Sequence, residues 1–218
     1  MNSPLIQLLV LAGIAIFLIL RLKSVLGTRD GFEKPPLPNP APTPARRGFE
    51  VIEGGPDHDI ADHVEKDSDN ARALAAMKRI EPEFSVTEFI QGARSAYEMI
   101  LMGFERGHLD DIKPFLSEDV FQAFVDGVAA REDKGLTVEA EFIGVREVKV
   151  QEVTFDKDTN RAEITMRFVA EMTSVVRDKG GDVIEGSPTA IKRQKDSWTF
   201  SRVMGSTDPN WLLVATDA

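Results

Sequence analysis

The sequence predicts an α+β domain in which helices pack on a curved antiparallel sheet, with one transmembrane helix in front of it. Three observations lead to this prediction. Residues 5–20 are almost wholly apolar, apolar residues then recur at steps of three and four up to Gly135, and after that glycine they alternate with polar residues. Steps of three and four are typical of an amphipathic helix, and alternation is typical of a strand with one buried face. Helices followed by consecutive strands indicate an α+β domain.

Length and composition limit the possible functions. The chain has 218 residues, which suits one folded domain with appendages, and it contains no cysteine. Disulfides, cysteine metal sites and thiol nucleophiles are therefore excluded. The net charge is −10, yet residues 1–50 hold six basic and three acidic side chains, so the remainder carries −13. Because an acidic body repels a phosphate backbone, we expect no nucleic-acid partner.

Residues 1–22 are predicted to be a retained transmembrane anchor. In residues 5–20 the only polar side chain is Gln7, and the segment is about as long as a hydrocarbon core is thick, about 30 Å. A cleaved signal peptide is the main alternative. It has basic residues before its apolar run and small residues at a cleavage site behind it, whereas here the basic residues follow the run. A buried core helix is a weaker third interpretation, because the run has no polar face.

The flanking charges predict the orientation of this anchor. Arg21, Lys23 and Arg29 all follow the apolar run, and basic residues close to a span favour the cytoplasmic side. We therefore expect a single-pass membrane protein with its N-terminus outside and its domain facing the cytoplasm. In a mitochondrion the equivalent side is the matrix. The same three cations are expected to contact anionic lipid at the membrane surface.

Residues 23–68 are predicted to be a basic juxtamembrane segment and a flexible proline-rich linker. The stretch KPPLPNPAPTP at 34–44 suits a polyproline II spacer, because proline lacks an amide donor and fixes φ. Two histidines and two aspartates follow at helical spacing and raise the question of a metal site: His58, Asp59, Asp62 and His63. Nothing nearby excludes water, so we expect a solvated acidic loop and no metal.

The domain is predicted over residues 69–218 and begins with a helix over about 69–80, which Pro82 ends. Ser85 and Glu88 then have the spacing of a capping box at the start of a long amphipathic helix that ends at a glycine. The inward face of this long helix is expected to hold Phe89, Ile90, Ala93, Ala96, Tyr97, Ile100, Leu101 and Phe104.

Two more helices are predicted before the sheet. LDDIKPFLS at 109–117 suits a short helix in which Pro114 lies near the start or causes a bend. Ser117 can cap the next helix, and Gly135 ends it. The inward face of that helix is expected to hold Val120, Phe121, Phe124, Val125 and Val128.

The sheet is predicted to be a meander of four to six strands. Alternating residues occur on both sides of Gly144, and the clearest strand runs over 161–173. DKDTN at 156–160 and DKGGD at 178–182 suit turns, and a last hairpin is expected with KDS at 195–197 as its turn. The inward row of the clearest strand is expected to be wholly apolar: Ala162, Ile164, Met166, Phe168, Ala170 and Met172.

Several stretches of the sequence, taken in order, resemble one family. They are residues 89–135, then ITMRFVAEM at 164–172, then DSWTFSRVMGSTDPNWLLV at 196–214, with RLKSVLGTRDGFE at 21–33 as a head beyond the anchor. Together they resemble the Tim44-like domain family and its alphaproteobacterial membrane-bound form. The resemblance to that form implies that the membrane is a bacterial inner (cytoplasmic) membrane. The resemblance implies a nuclear transport factor two-like cone, with a long first helix cupped by a bent sheet. Mitochondrial members tether the import motor of the presequence translocase to the inner membrane, through a long N-terminal region that this chain replaces by a short tether.

The resemblance also implies an apolar pocket between helix and sheet, suited to an acyl chain or to a partner's apolar side chains. Judged from the residues alone, core packing is the plainer interpretation of each aromatic residue. The candidate lining residues are Tyr97, Leu101, Phe104, Val128, Ile164, Phe168, Trp198, Phe200 and Trp211.

Catalysis is not predicted. Some proteins with the cone fold are isomerases or dehydratases, which place a tyrosine or histidine donor opposite an aspartate base. Tyr97 is the only tyrosine and lies on an inward face, but the apolar inward row of the clearest strand offers no base, and His108 lies at a helix end. The sequence has no phosphate-binding loop, serine triad or metal quartet. We therefore expect no catalytic residue and no cofactor.

The sequence thus predicts a membrane-anchored binding or scaffold module that tethers partners in protein translocation or membrane-protein assembly. Membrane lipids and inner-membrane assembly proteins are the expected partners, and the resemblance adds a chaperone. Two alternatives stay open: a cone-fold enzyme of the isomerase or dehydratase type acting on a small apolar substrate, and a ribosome-associated protein like the mitoribosomal relatives of the family. The −13 charge of the body disfavours contact with rRNA.

Overall fold

The computed structural model of the protein describes residues 57–217. Within this range the chain forms a four-stranded antiparallel sheet with helices packed against it, so the α+β prediction is confirmed. The predicted anchor and most of the linker, with Arg21, Lys23 and Arg29, lie outside the described residues. Among the residues described, no helix is both long enough and apolar enough to cross a membrane. The likeness to a nuclear transport factor two-like cone stays a prediction.

The helices of the described range come first in the chain. They are α1 (His58–Ala61), α2 (Asp69–Ile80), α3 (Val86–Arg106), α4 (Leu109–Ile112), a 3-10 turn (Lys113–Phe115) and α5 (Glu118–Asp133). The helix predicted over 69–80 is confirmed. Ser85 Oγ accepts a hydrogen bond from the Glu88 amide at 3.2 Å, and Gly107 ends α3 at a φ of 73°, a left-handed conformation that glycine adopts without strain. The predicted start and stop of the long helix are therefore confirmed.

The solvated loop predicted around His58 is wrong, because α1 forms there and packs onto the domain. Asp57 Oδ1 caps this short helix by accepting from the Asp59 amide at 3.0 Å. Ile60 is buried in the same core cluster as the residues of α2 and α3. A single apolar side chain was too weak a signal to predict a helix of four residues. The folded part of the described chain therefore begins before residue 69.

The four strands follow in chain order and pair with their neighbours as a meander. They are β1 (Thr137–Asp156), β2 (Arg161–Arg177), β3 (Val183–Val203) and β4 (Leu212–Asp217). β1 is one strand rather than two, and register shifts between Phe142 and Gly144 and between Val145 and Glu147 bend it without ending it. The turns predicted before β2 and after it are confirmed.

The hairpin predicted with KDS as its turn is wrong. Lys195, Asp196 and Ser197 each pair with a residue of β2, and β3 runs through them without interruption. β2 is long enough to offer a partner at every one of these positions, so the backbone stays extended despite a turn-like composition. The last hairpin instead joins β3 to β4 through residues 204–211.

The core lies between α3 and the inward face of the sheet. Every residue of the predicted inward row of β2, from Ala162 to Met172, is at most 1% exposed, which confirms that row. Tyr97 and Ile100 of α3 are fully buried in the same core cluster. Full burial of a large apolar side chain stabilises a fold by about 1.5–3 kcal/mol, so this layer supplies much of the driving force for folding.

The free edge of β1 is held by the side chain of Asn70 in α2. The Asn70 amide nitrogen donates to the Gln151 carbonyl at 3.2 Å, and its oxygen accepts from the Val153 amide at 2.9 Å. One side chain thus takes the place of a neighbouring strand at this point, which protects an edge that would otherwise be open to pairing with another chain.

Candidate functional site

An apolar groove lies between the first turns of α3 and the loop that precedes β4. We call it the Trp211 groove, and its volume is about 280 Å³. Its main lining residues are Phe89, Gly92, Ala96, Phe115, Phe200 and Trp211. Its open position and apolar lining suit an apolar chain or side chain.

Aromatic packing fixes the walls of the Trp211 groove. The ring of Trp211 lies 4.7 Å from Phe89 and 6.0 Å from Phe84, measured between centroids. Phe89 in turn meets Phe200 edge-on at 6.1 Å. Offset and edge-on contacts of this kind hold aromatic rings in place, so the groove is formed before any ligand binds.

Gly92 keeps the groove open. No heavy atom from a neighbouring part of the fold lies within 4 Å of the place where a Cβ atom would stand on Gly92. Gly92 lies in a helix, where glycine is less favourable than almost any other residue. A side chain at this position would enter empty space, and its absence leaves the groove unfilled.

An ion pair anchors the loop that carries Trp211. Arg202 donates to both carboxylate oxygens of Glu81 at 2.9 and 2.7 Å, and the Gly205 amide donates to Glu81 Oε2 at 3.1 Å. Partial burial acts to raise the pKa of Glu81, but the Gly205 amide and Arg202 outweigh it and the pKa lies below its usual value. The Arg202 guanidinium also lies 6.0 Å from the Trp211 ring. The far wall of the groove is therefore tied to the end of α2.

A second feature is a polar contact inside the core, between Tyr97 and Asp196. The Tyr97 hydroxyl donates to Asp196 Oδ2, and Gln194 Nε2 donates to Asp196 Oδ1 at 3.1 Å. Tyr97 is 0% exposed and Asp196 is 4% exposed. Burial, followed by the nearby Asp196, raises the pKa of Tyr97 far above its ordinary value, so this hydroxyl keeps its proton.

Asp196 was not predicted as a core residue, because Lys195, Asp196 and Ser197 have the composition of a turn. The signal was present in the alternation of β3, where Asp196, Trp198 and Phe200 fall on one face. A carboxylate, that of Asp196, therefore does lie beside Tyr97, although the sequence predicted none there. Phe168 stacks on Tyr97 at 4.3 Å and Trp198 lies 4.6 Å away, and together they seal the pair from solvent.

The nine residues predicted to line a pocket fall into three groups. Five are in the closed core: Tyr97, Leu101, Ile164, Phe168 and Trp198. Phe200 and Trp211 line the Trp211 groove, together with Phe89, Gly92 and Phe115, which were not among the predicted lining residues. Phe104 packs on Phe124 at 4.6 Å where α3 meets α5, and Val128 lies partly buried on α5. Whether these residues bind a ligand stays a prediction.

The four candidate metal ligands near α1 have other partners or stay exposed. Asp59 accepts from the Val86 amide, and His63 is hydrogen-bonded to Thr87 at 2.8 Å. Across residues 57–217 no group of three histidine, aspartate or glutamate side chains is arranged to hold a metal ion.

Comparison with known proteins assigns the family. Residues 70–218 match the family described as the Tim44-like domain. The chain belongs to the Tim44-like domain family. The match covers α2 to β4, with both the Trp211 groove and the buried Tyr97–Asp196 pair, while α1 precedes it.

One curated relative of this Tim44-like chain is the mitochondrial import inner membrane translocase subunit TIM44-1 of Arabidopsis thaliana. The two are 22% identical over 149 residues, which is 67% of this chain and 31% of the relative. The Tim44-like chain therefore spans only about a third of that protein. Among solved structures, the intermembrane space region of the chloroplast protein ARC6 covers 59% of this chain and 94% of its own length, with 16% identity and a TM-score of 0.40.

Proposed function

We propose that the protein is a membrane-anchored binding module of the inner membrane, which tethers partners in protein translocation or membrane-protein assembly. The Trp211 groove is the docking site in this proposal, and it accepts an acyl chain or the apolar side chains of a partner. The anchor at residues 1–22, with Arg21, Lys23 and Arg29 at the membrane surface, holds the domain beside the bilayer on its cytoplasmic side.

The open floor of the groove at Gly92 is the observation that favours docking there. Aromatic residues of α3, the 3-10 turn, β3 and the loop before β4 form the walls, and the described fold leaves room there for an apolar group. Membership of the Tim44-like family and the similarity to a translocase subunit support a protein of the translocation or assembly machinery as the partner. A chaperone is one such partner, and its recruitment depends on segments outside the described residues.

The test fills the groove without removing any contact. We expect Gly92→Leu to place its side chain in the groove while favouring the helix, since leucine has the better helix propensity by about 0.6–1 kcal/mol. Gln91→Leu is the matched control, because it adds the same side chain to the same helix on an exposed face. Both variants should remain folded.

The readout is photo-cross-linking in native membranes from a photoreactive residue at Glu88, which is exposed and lines the groove. We expect cross-links to lipid or to a protein of the translocation or assembly machinery with the unsubstituted chain and with Gln91→Leu. Gly92→Leu should abolish them. Products that persist unchanged in Gly92→Leu would show that the groove is not the docking site.

An isomerase or dehydratase is the second candidate, and the Tyr97–Asp196 hydrogen bond favours it because such enzymes pair a tyrosine donor with a carboxylate. The burial of both side chains argues against it, since Tyr97 is 0% exposed and Asp196 only 4% exposed. If the protein were such an enzyme, Tyr97→Phe would abolish turnover of a small apolar substrate. We expect this variant to leave cross-linking at the groove intact.

A further inference from the structure

A cluster of basic side chains lies on the outer face of the sheet, the face turned away from the core. We call it the outer-face patch. It consists of Arg146 and Lys149 on β1, Arg167 on β2, and Arg193 and Lys195 on β3, all of them exposed. Side chains alternate between the two faces of a strand, so the neighbours of these residues, such as Phe168 and Asp196, point into the core.

Strand register brings the five cations together. Lys149 lies opposite Arg167 in the β1–β2 ladder, and Lys195 lies opposite Val169, the next outward residue of β2. The register shift between Val145 and Glu147 turns Arg146 outward as well, where its Nε donates to Glu171 at 2.6 Å. The patch thus spans three strands, or about 10 Å at about 4.8 Å per strand.

The carboxylates inside the patch are too few to neutralise it. Glu147 is held by Lys149 at 3.0 Å, and Lys149, with smaller effects from Arg167 and Lys195, lowers the pKa of Glu147. Glu171 is held by Arg146 and by Arg193 at 3.1 Å, and these two arginines lower its pKa. Asp217 of β4 lies opposite Ser197 of β3 and is the third carboxylate. Five cations therefore face three carboxylates on a body whose net charge is strongly negative.

A depression lies at the centre of the outer-face patch. It has a volume of about 540 Å³, and its lining includes the cations Lys149, Arg167 and Lys195, the polar residues Gln151 and Ser197, and the acidic residues Asp196, whose carboxylate is bonded to Tyr97, and Asp217. The Ser197 hydroxyl donates to Gln151 Oε1 at 3.0 Å, which fixes these two side chains between the cations. Extended chain advances about 3.3 Å per residue, so three or four residues of a peptide fit across it.

We propose that the outer-face patch binds a short acidic segment of a partner protein, whose carboxylates pair with Arg167 and Lys195. Charge complementarity supports this occupant, because a positive patch on an acidic body attracts an anion while the rest of the surface repels one. The planar guanidinium of Arg167 suits a carboxylate, which it can hold through two hydrogen bonds.

The surroundings of the patch favour a short segment over a long polyanion or a flat anionic surface. Glu152 and Glu163 line the adjoining depression on the same face of the sheet. RNA or an anionic bilayer extends past the patch and meets these carboxylates, whereas a segment of a few residues ends before them. The site is separate from the Trp211 groove and shares no lining residue with it, so the two proposals fail independently.

The experiment measures fluorescence anisotropy of a labelled oligoglutamate peptide with the full chain in uncharged detergent micelles, and the matching oligoglutamine peptide is the reference. The patch variant is Arg167→Gln with Lys195→Gln. Its matched control is Lys157→Gln with Lys179→Gln, which makes the same charge change at exposed turn residues. Circular dichroism checks that both variants fold, as expected for exposed positions.

We expect the oligoglutamate peptide to bind, the oligoglutamine peptide not to bind, and binding to weaken as salt rises from about 30 to about 300 mM. The patch variant should bind oligoglutamate about tenfold more weakly, since it loses two exposed ion pairs with the peptide, while the control keeps its affinity. Equal affinities for patch variant and control would overturn the proposal. So would a stronger patch-dependent affinity for a uridine oligonucleotide or for phosphatidylglycerol vesicles than for the peptide.

Discussion

Tyr97 and Asp196 form a polar contact inside a core that is otherwise built from apolar side chains. A buried carboxylate without a donor is costly, and here the Tyr97 hydroxyl and the Gln194 amide both donate to it. The pair therefore fixes one register of β3 against α3, because a shift of β3 by one residue would turn Asp196 to the outer face.

We predict that Tyr97→Phe destabilises the domain by about 1.5–3 kcal/mol, because it leaves the buried carboxylate of Asp196 short of a donor. Chemical denaturation of the single variants Tyr97→Phe and Asp196→Asn, and of the double variant, measures the coupling. The expected coupling energy is about 1–2 kcal/mol. Additive effects of the two substitutions would mean that the hydrogen bond contributes nothing to stability.

The raised pKa of Tyr97 predicts that the domain loses stability at high pH. The folded-state pKa of Tyr97 is raised above its unfolded value of about 10, so its contribution is fully present below pH 10 and is lost as the pH rises beyond it. The stability of the unsubstituted chain should therefore fall more steeply above about pH 10 than that of Tyr97→Phe. Urea titrations of the two proteins at a series of alkaline pH values compare the slopes, and parallel slopes would refute the assignment.

Asp196 and the apolar row of β2 show which buried residues can be predicted from the sequence and which cannot. The apolar row of β2 was predictable because its alternation is unbroken over six positions. Asp196 was not, because an aspartate between a lysine and a serine has the composition of a turn. Only the pairing with a long neighbouring strand keeps it extended, and that pairing is a long-range contact that local composition does not encode.

Among the helices, α1 is hydrogen-bonded to the first turn of α3 and stabilises it. Asp59 of α1 accepts hydrogen bonds from the amides of Val86 and Thr87 at 2.7 and 2.9 Å and from the Thr87 hydroxyl at 2.7 Å. Lys78 of α2 forms an ion pair with Asp59 at 2.7 Å. One carboxylate thus joins three helices and supplies an acceptor for the free amides at the helix start.

We predict that Asp59→Ala lowers the free energy of unfolding by about 1–2 kcal/mol, the usual cost of losing a helix cap. Asp62→Ala, an exposed aspartate beside the same short helix, is the control and should have little effect. Thermal unfolding measures both. An Asp59→Ala variant as stable as the control would show that the contacts of α1 with α3 do not stabilise the domain.

The lowered pKa of Asp59 also predicts that the domain loses stability in acid. Partial burial acts to raise the pKa of Asp59, but hydrogen bonds from Lys78, Thr87 and Val86 outweigh it and the pKa lies well below its usual value. A carboxyl with a depressed folded-state pKa stabilises the fold above its unfolded pKa, near 3.9, and that contribution is lost as the pH falls further. Asp59→Ala should therefore lose less stability than the unsubstituted chain below about pH 4.

The helices illustrate which elements a sequence reveals. α2 and α3 were predictable because caps, apolar spacing and stop residues agree at both ends. α1 has four residues and one buried side chain, and its stability comes from the contacts of Asp59 with a helix that starts 27 residues later. The Trp211 groove was predicted only in part. Phe89 was placed on the inward face of α3, but no local pattern reveals that the loop before β4 packs near that face.

For the whole molecule, the proposed function is that of a docking domain held beside a bilayer. The domain places an apolar groove and a basic patch on separate surfaces, which suits a module that holds one partner at each. Such a module depends on where it is held. In the proposed arrangement, the linker that follows residues 1–22 would limit how far the two surfaces can reach from the membrane.

The most direct test of the central claim is carbonate extraction of membranes from cells that produce the full chain, followed by N-terminal sequencing of the protein in the pellet. The account predicts that the protein stays in the pellet, that its N-terminus is at or next to Met1, and that protease reaches the domain only from the cytoplasmic side. A protein released into the supernatant, or one whose N-terminus lies near Thr28, would contradict it.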